Sequence, residues 1–146
     1  MPRINALVYI TIRDQNGIKH EFGKKVPIQE TVTGEVENKT FDIATSATVK
    51  VFDIDESPLG DFNVLAIEVD NDAIVEFVTD DDADVGEEVF TIGLKGGGVP
   101  LVIGRDESYA NYTVNFGGGT LDVIETVRIK NLSGSNAVKA HVLIIT

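Results

Sequence analysis

Short runs of alternating apolar and polar residues, each bounded by Gly, Asn, Asp or Pro, follow one another along the chain. The 3.6-residue repeat of an amphipathic helix is hardly sustained anywhere, so strands are expected throughout. Ala6 to Arg13 is the first run. Asp14-Gln15-Asn16-Gly17 then supplies an Asn-Gly pair that tolerates positive φ, and the chain returns with Ile18, His20 and Phe22 on one face, which predicts a hairpin.

Pro27 cannot donate to a ladder, so the next strand, Gln29 to Val36, is expected to start at an edge or after a bend. Phe41 to Ala44 and Thr48 to Ile54 read as short strands. In the second of these Val49 and Val51 compete with Phe52 for the inner face. Leu65, Ile67 and Val69 share one face of Val64 to Val69, and Asp70-Asn71-Asp72 then predicts a tight turn and a second hairpin with Ala73 to Thr79.

Val89 to Leu94, Leu101 to Ile103 and Tyr109 to Phe116 follow, broken by the glycine triplets 96–98 and 117–119. Thr120 to Asn131 reads as one long strand with Leu121, Val123, Val127 and Ile129 inward. The last strand, Ala137 to Thr146, turns Val138, Ala140, Val142 and Ile144 to the core. Its other face carries His141, Leu143 and Ile145, apolar where a solvated strand would be polar. That strand is expected either to lie centrally in a sheet covered on both sides or to meet another subunit. His141, Leu143 and Ile145 are therefore the candidate subunit or capsid interface.

About ten short strands with such turns predict an all-β fold, an antiparallel β-sandwich of jelly-roll-like kind. The 146 residues suit a single sandwich domain over 1–146, with residues 1–5 read as an N-terminal arm. The absence of cysteine leaves the fold to packing and hydrogen bonds. The start Met1-Pro2-Arg3-Ile4-Asn5 has no secretory pattern and no stretch nears the ~20 apolar residues of a membrane helix, so a soluble chain is expected.

Charge changes this picture by its placement. The net charge is −12; residues 51–88 hold fourteen acids and no base, while 1–50 have seven bases to six acids and 89–146 five bases to four acids. Such acidity disfavours sequence-independent binding to nucleic acid or an anionic membrane. It predicts one solvated acidic side, with a cation or partner site as the alternative.

Candidate chemistry is sparse. Neither Lys95-Gly96-Gly97-Gly98 nor Gly117-Gly118-Gly119-Thr120 has the order of a phosphate loop, which needs Lys and Ser or Thr after the glycines at a helix start. Asp80, Asp82 and Asp84 alternate like calcium ligands, but Val85 stands where a helix-loop-helix calcium site requires Gly and Thr91 where it requires Glu. A different site using these residues, or Asp53, Asp55, Asp70 and Asp72, stays open. His20 and His141 have no ligand-spaced partner, no Gly-x-Ser-x-Gly elbow is present, and Tyr9 and Tyr109 are the best platforms for a sugar. No catalytic residue, cofactor or metal site is assigned, and the chain reads as no enzyme.

From Val64 onward, the Asp70-Asn71-Asp72 turn, a strand ending in Gly96-Gly97-Gly98-Val99-Pro100, a polar loop, and the closing runs Leu121 to Lys130 and Val138 to Ile144 resemble tailed-phage head decoration (cement) proteins and related virion β-modules. The likeness covers a little over half of the chain and lies in pattern and turn chemistry. It implies a bacteriophage virion structural protein on the capsid surface, a homo-oligomer with a trimer favoured, bound to the major capsid protein. A non-catalytic module for a glycan or divalent cation on a surface or tail-associated protein is the alternative.

Overall fold

The computed structural model describes residues 3–6, 9–23, 28–31, 35–56, 62, 64–80, 88–104, 115–116, 119–120 and 124–145. The chain divides into two compact units, Met1–Thr33 and Gly34–Thr146.

The first unit holds two nested antiparallel ladders. Strand β1 (Arg3–Ala6) pairs with β4 (Ile28–Thr31), and β2 (Tyr9–Arg13) pairs with β3 (Lys19–Gly23). Arg3, Ile4 and Asn5, read above as part of an arm, are strand residues opposite Thr31, Glu30 and Gln29. The predicted hairpin turn is present. Asp14 accepts from the amides of Asn16 and Ile18, both at 2.9 Å, and Gly17 takes a φ of 79° that only a glycine adopts without strain.

The second unit is the sandwich. Its strands are β5 (Val36–Ile43), β6 (Thr48–Asp53), β7 (Val64–Val69), β8 (Ala73–Asp80), β9 (Glu88–Leu94), β10 (Leu101–Gly104), β11 (Asn115–Phe116), β12 (Gly119–Thr120), β13 (Thr126–Asn131) and β14 (Val138–Ile145). Sheet I runs β10-β7-β14-β5 and sheet II runs β6-β13-β8-β9, every neighbouring pair antiparallel. With the small β11–β12 ladder set aside and the remaining eight strands numbered along the chain, the sheets read 6-3-8-1 and 2-7-4-5. That is the jelly-roll order, two Greek keys wound into one sandwich.

The alternation read from sequence is what fills the space between the sheets. Leu65 and Ile67 on β7 and Val138, Ala140, Val142 and Ile144 on β14 face Val75 and Phe77 on β8 and Val127 and Ile129 on β13, each at most 4% exposed. Phe62 closes one end, fully buried and edge-on to Phe52 with ring centroids 5.1 Å apart. The competition within β6 is settled by a bulge. The register against β13 shifts between Val127 and Arg128, so that Phe52 opposes Val127, Val49 opposes Ile129, and both Val51 and Phe52 are buried.

Four expectations are corrected. Asp70-Asn71-Asp72 does not close a hairpin, because β7 and β8 lie in different sheets; the turn carries the chain across the sandwich. Both strands turn every second residue to the same core, and local turn chemistry does not distinguish the two outcomes. The strand read over Gln29 to Val36 is divided: β4 ends at Thr31 and β5 starts at Val36. Strand β5 is twice the length read for it, since Glu37 and Lys39 obscured its first half. The long run from Thr120 is also divided into β12 and β13, with Leu121 and Val123 outside the described residues. Most of Tyr109 to Phe116 and of the acidic stretch 80–88 also lies outside them.

Candidate functional site

Strand β14 is a central strand, flanked by β7 and β5, so the face bearing His141, Leu143 and Ile145 is the middle of the outer surface of sheet I. The register assigns their neighbours. Ile145 stands between Val36 and Val64, Leu143 between Asn38 and Ala66, and His141 between Thr40 and Glu68. Val102 of β10 continues the Leu143 row beyond Ala66.

This surface changes character along β14. At one end Val36, Leu143, Ala66 and Val102 form an apolar strip; Val36 is 49% and Val102 53% exposed, Leu143 is half-buried, and Ile145 is buried. At the other end the row of His141 is polar. Its Nδ1 lies 2.8 Å from Glu68 Oε1, and its Nε2 meets Asn38 Oδ1. Both ring nitrogens are engaged, and the ring is pinned across three strands.

Beyond His141, Asp70 Oδ1 accepts from the Lys139 amide at 2.7 Å, and Asn71 donates to the Ala137 carbonyl at 3.0 Å. Asp72 accepts from the Gly96 amide at 2.9 Å and from Lys95 at 2.8 Å; the ammonium, and then the amide, hold its carboxyl below the usual aspartate value. A shallow hollow of about 430 Å³ opens here between Thr40, Glu68, Asp70, Lys139, His141 and the 97–98 glycines. Of the carboxylates offered above as metal ligands, Asp53, Asp70 and Asp72 are thus occupied by amides or ammonium groups, while the side chains of Asp80, Asp82 and Asp84 lie outside the described residues. Among the described residues no three His, Asp or Glu side chains converge as a cation would require.

A second cleft, of about 260 Å³, lies where the edge strands β5 and β6 part. Lys50 spans it to Asp53 and, at 3.1 Å, to Glu56, and these contacts raise the lysine and lower Asp53 from their ordinary values. Lys50 bridges the two carboxylates, so each of these three groups has an oppositely charged partner.

Among the described residues, the acids of 51–88 do not share one side. Glu68 is on the outer face of sheet I, Glu76 pairs with Arg128 on the outer face of sheet II at 3.0 Å, and Asp70 and Asp72 sit in the turn between. Strands β6, β7 and β8 alternate between the two sheets, so neighbours in sequence separate in space. What sequence reading missed is the cross-strand company of His141: Asn38 and Glu68 are 103 and 73 residues away and only the register joins them.

Compared with known protein families, curated proteins and solved structures, the chain matches none.

Proposed function

We propose that this chain is a non-catalytic virion module that decorates a tailed-phage capsid, with the outer surface of sheet I as its docking face. The observation that carries the proposal is the apolar strip Val36–Leu143–Ala66–Val102 on a sheet whose other face already fills the core. An exposed apolar strip with a polar flank is the usual composition of a docking surface. The jelly-roll order supports the reading because capsid proteins use this fold, although the fold hosts other functions. Engagement of both ring nitrogens of His141, and the bridging of Asp53 and Glu56 by Lys50, support a role in binding over one in catalysis.

The test uses particles from the phage that carries the gene. The chain is expected in banded full heads by mass spectrometry, and added wild-type chain is expected to co-sediment with heads stripped of it. Leu143→Asp, which places a charge in the strip, is expected to fold and to stay in the supernatant. Heads that lack the chain, or that bind the variant as well as wild type, would remove the reading.

The hollow beside His141 favours the second reading, a small polyhydroxylated ligand, because hydroxyl, carboxylate and ammonium groups converge there. Thermal melts with a glycan panel, calcium and EDTA separate the two: a rise with one sugar supports this reading, and indifference to all supports the first.

A further inference from the structure

Sheet II ends in a strand unlike the other edges of the sandwich. Strand β10, an edge of sheet I, is four residues long, while edge strand β5 carries Glu37, Lys39 and Asp42 and edge strand β6 carries Lys50 and Asp53. Short length and charge are what keep a sheet edge from pairing with another chain. Strand β9, at the end of sheet II, runs for seven residues, and its Val89–Leu94 stretch holds neither a charge nor a proline. Its ladder with β8 uses one side of its backbone, and among the described residues no strand takes the other.

The side chains of β9 indicate which neighbour fits. Phe90 belongs to the core layer: it opposes Phe77, and the two rings stack with centroids 4.8 Å apart and an interplanar angle of 14°. Phe77 is fully buried, whereas Phe90 is 40% exposed. What the ring lacks is a next strand in the same layer. A copy of β9 supplies one: antiparallel pairing about a twofold axis normal to the sheet keeps inner residues on the inner face. With the axis at Thr91, all seven residues of β9 are paired. Phe90 then stands opposite Ile92 of the second copy, and Val89 opposite its Gly93, beside which there is open space for a neighbouring side chain. No like charges meet along Val89–Leu94, in a chain whose net charge is −12. Pairing of β9 with β6 of another copy would be head-to-tail, would not close, and would meet Lys50 and Asp53. We infer that β9 is a homodimer interface, pairing with β9 of a second copy and joining two four-stranded sheets into one continuous sheet. The capsid reading, whose docking face is the outer surface of sheet I, stands or falls separately.

Sedimentation equilibrium and light scattering on the full chain test it. Wild type is expected at twice 15.8 kDa by about 100 μM, where a contact of ordinary affinity is filled. Salt is expected to strengthen association, because the contact is uncharged and salt screens the repulsion between two chains of −12. Thr91→Lys sets two ammonium groups against each other at the axis, while Glu76 on its own β8 stands opposite and accommodates the base within the fold. That variant is expected to associate at least about tenfold more weakly with unchanged circular dichroism. Since the chain has no cysteine, a single introduced thiol reports the register. Thr91→Cys is expected to cross-link into dimers on mild oxidation, because opposed Cα atoms of an antiparallel pair lie about 4.5–5.5 Å apart, within disulfide reach. Val89→Cys stands more than about 10 Å from its counterpart and is expected not to cross-link. Should Thr91→Lys lose its circular dichroism, the cysteine pair decides. A monomeric wild type at about 100 μM would overturn the proposal and leave the edge to a strand of another protein. So would a dimer that Leu143→Asp breaks and Thr91→Lys leaves intact, or equal cross-linking by the two cysteine variants.

Discussion

The side chain of Asn131 donates to the carbonyl of Asn136 at 2.8 Å, and the same amide nitrogen reaches the carbonyls of Ile43 and Ala44 at 3.2 and 3.1 Å. Its oxygen accepts from the Ser133 amide at 2.8 Å, and its own main-chain amide donates to Ala47 at 2.9 Å. A fully buried amide thus joins the end of β13, the turn between β5 and β6 and the loop that leads into β14. Asn131→Ala would leave these carbonyls, that of buried Ile43 among them, without their side-chain donor and is expected to cost about 1–3 kcal/mol in urea unfolding. Asn131→Asp should cost more, because a carboxylate has nothing to donate to them. A loss under about 1 kcal/mol for Asn131→Ala would mean that water replaces the amide.

Gly96 packs on the turn that crosses the sandwich. A Cβ added to it would meet the Asn71 main chain, with the Asp70 carbonyl oxygen 2.7 Å away. Main chain cannot swing aside as a lysine tip would. Gly96→Ala is expected to lower stability by about 2–3 kcal/mol, and Gly93→Ala, where a Cβ meets open space, to change it little. Paired thermal melts check the contrast.

Phe62 is the plug at the end of the core, buried completely against Phe52. Phe62→Ala is expected to cost about 3–5 kcal/mol and Phe62→Leu appreciably less, because leucine refills most of the volume. Equal losses in denaturant titrations would show that edge contact with Phe52, and not filled volume, is what stabilises the site.

Strand alternation was legible because half-buried strands turn every second residue inward. Leu65, Ile67, Val127, Ile129 and the inner residues of β14 stand where that rule puts them. The strand order was not legible. The Asp70-Asn71-Asp72 turn has the residues of a hairpin, and only the pairing of β7 with β14, some 70 residues on, shows that it crosses between sheets. The candidate face was half legible for the same reason: β14 announced Leu143 and Ile145, whereas Val36, Ala66 and Val102 join them through register alone. In the first half of β5, charged Glu37 and Lys39 line the edge cleft and mask a strand that pairing with β14 nonetheless forms.

Acid should loosen the molecule in a particular way. The carboxyls of Asp14, Asp53 and Asp72 are held below their ordinary value first by His20, Lys50 and Lys95 respectively. A carboxyl with a lower pKa folded than unfolded stabilises above its unfolded value, about 3.9, and that contribution is lost as pH falls through the folded value. The urea midpoint is therefore expected to hold from about pH 7 to 5 and to fall below about pH 4. Asp72→Asn should lower the neutral plateau slightly and flatten the acid limb. An unchanged acid limb in that variant would assign the loss to other carboxyls.

Glu76 and Arg128 stand directly opposite on β8 and β13, 3.0 Å apart, with side chains 18% and 25% exposed. Their shielding sets them apart from Lys95 and Asp72, whose side chains are 80% and 65% exposed and whose pairing salt should largely screen. A double-mutant cycle of Glu76→Gln and Arg128→Met is expected to give a coupling of about 0.5–1 kcal/mol that persists at high salt. The same cycle on Asp72 and Lys95 should give a smaller value that fades with salt. Arg128 makes further interactions, so Glu76→Gln does not strand a buried charge and its own cost should stay near the coupling. A coupling near zero for Glu76 and Arg128 would mean that their desolvation cancels their attraction.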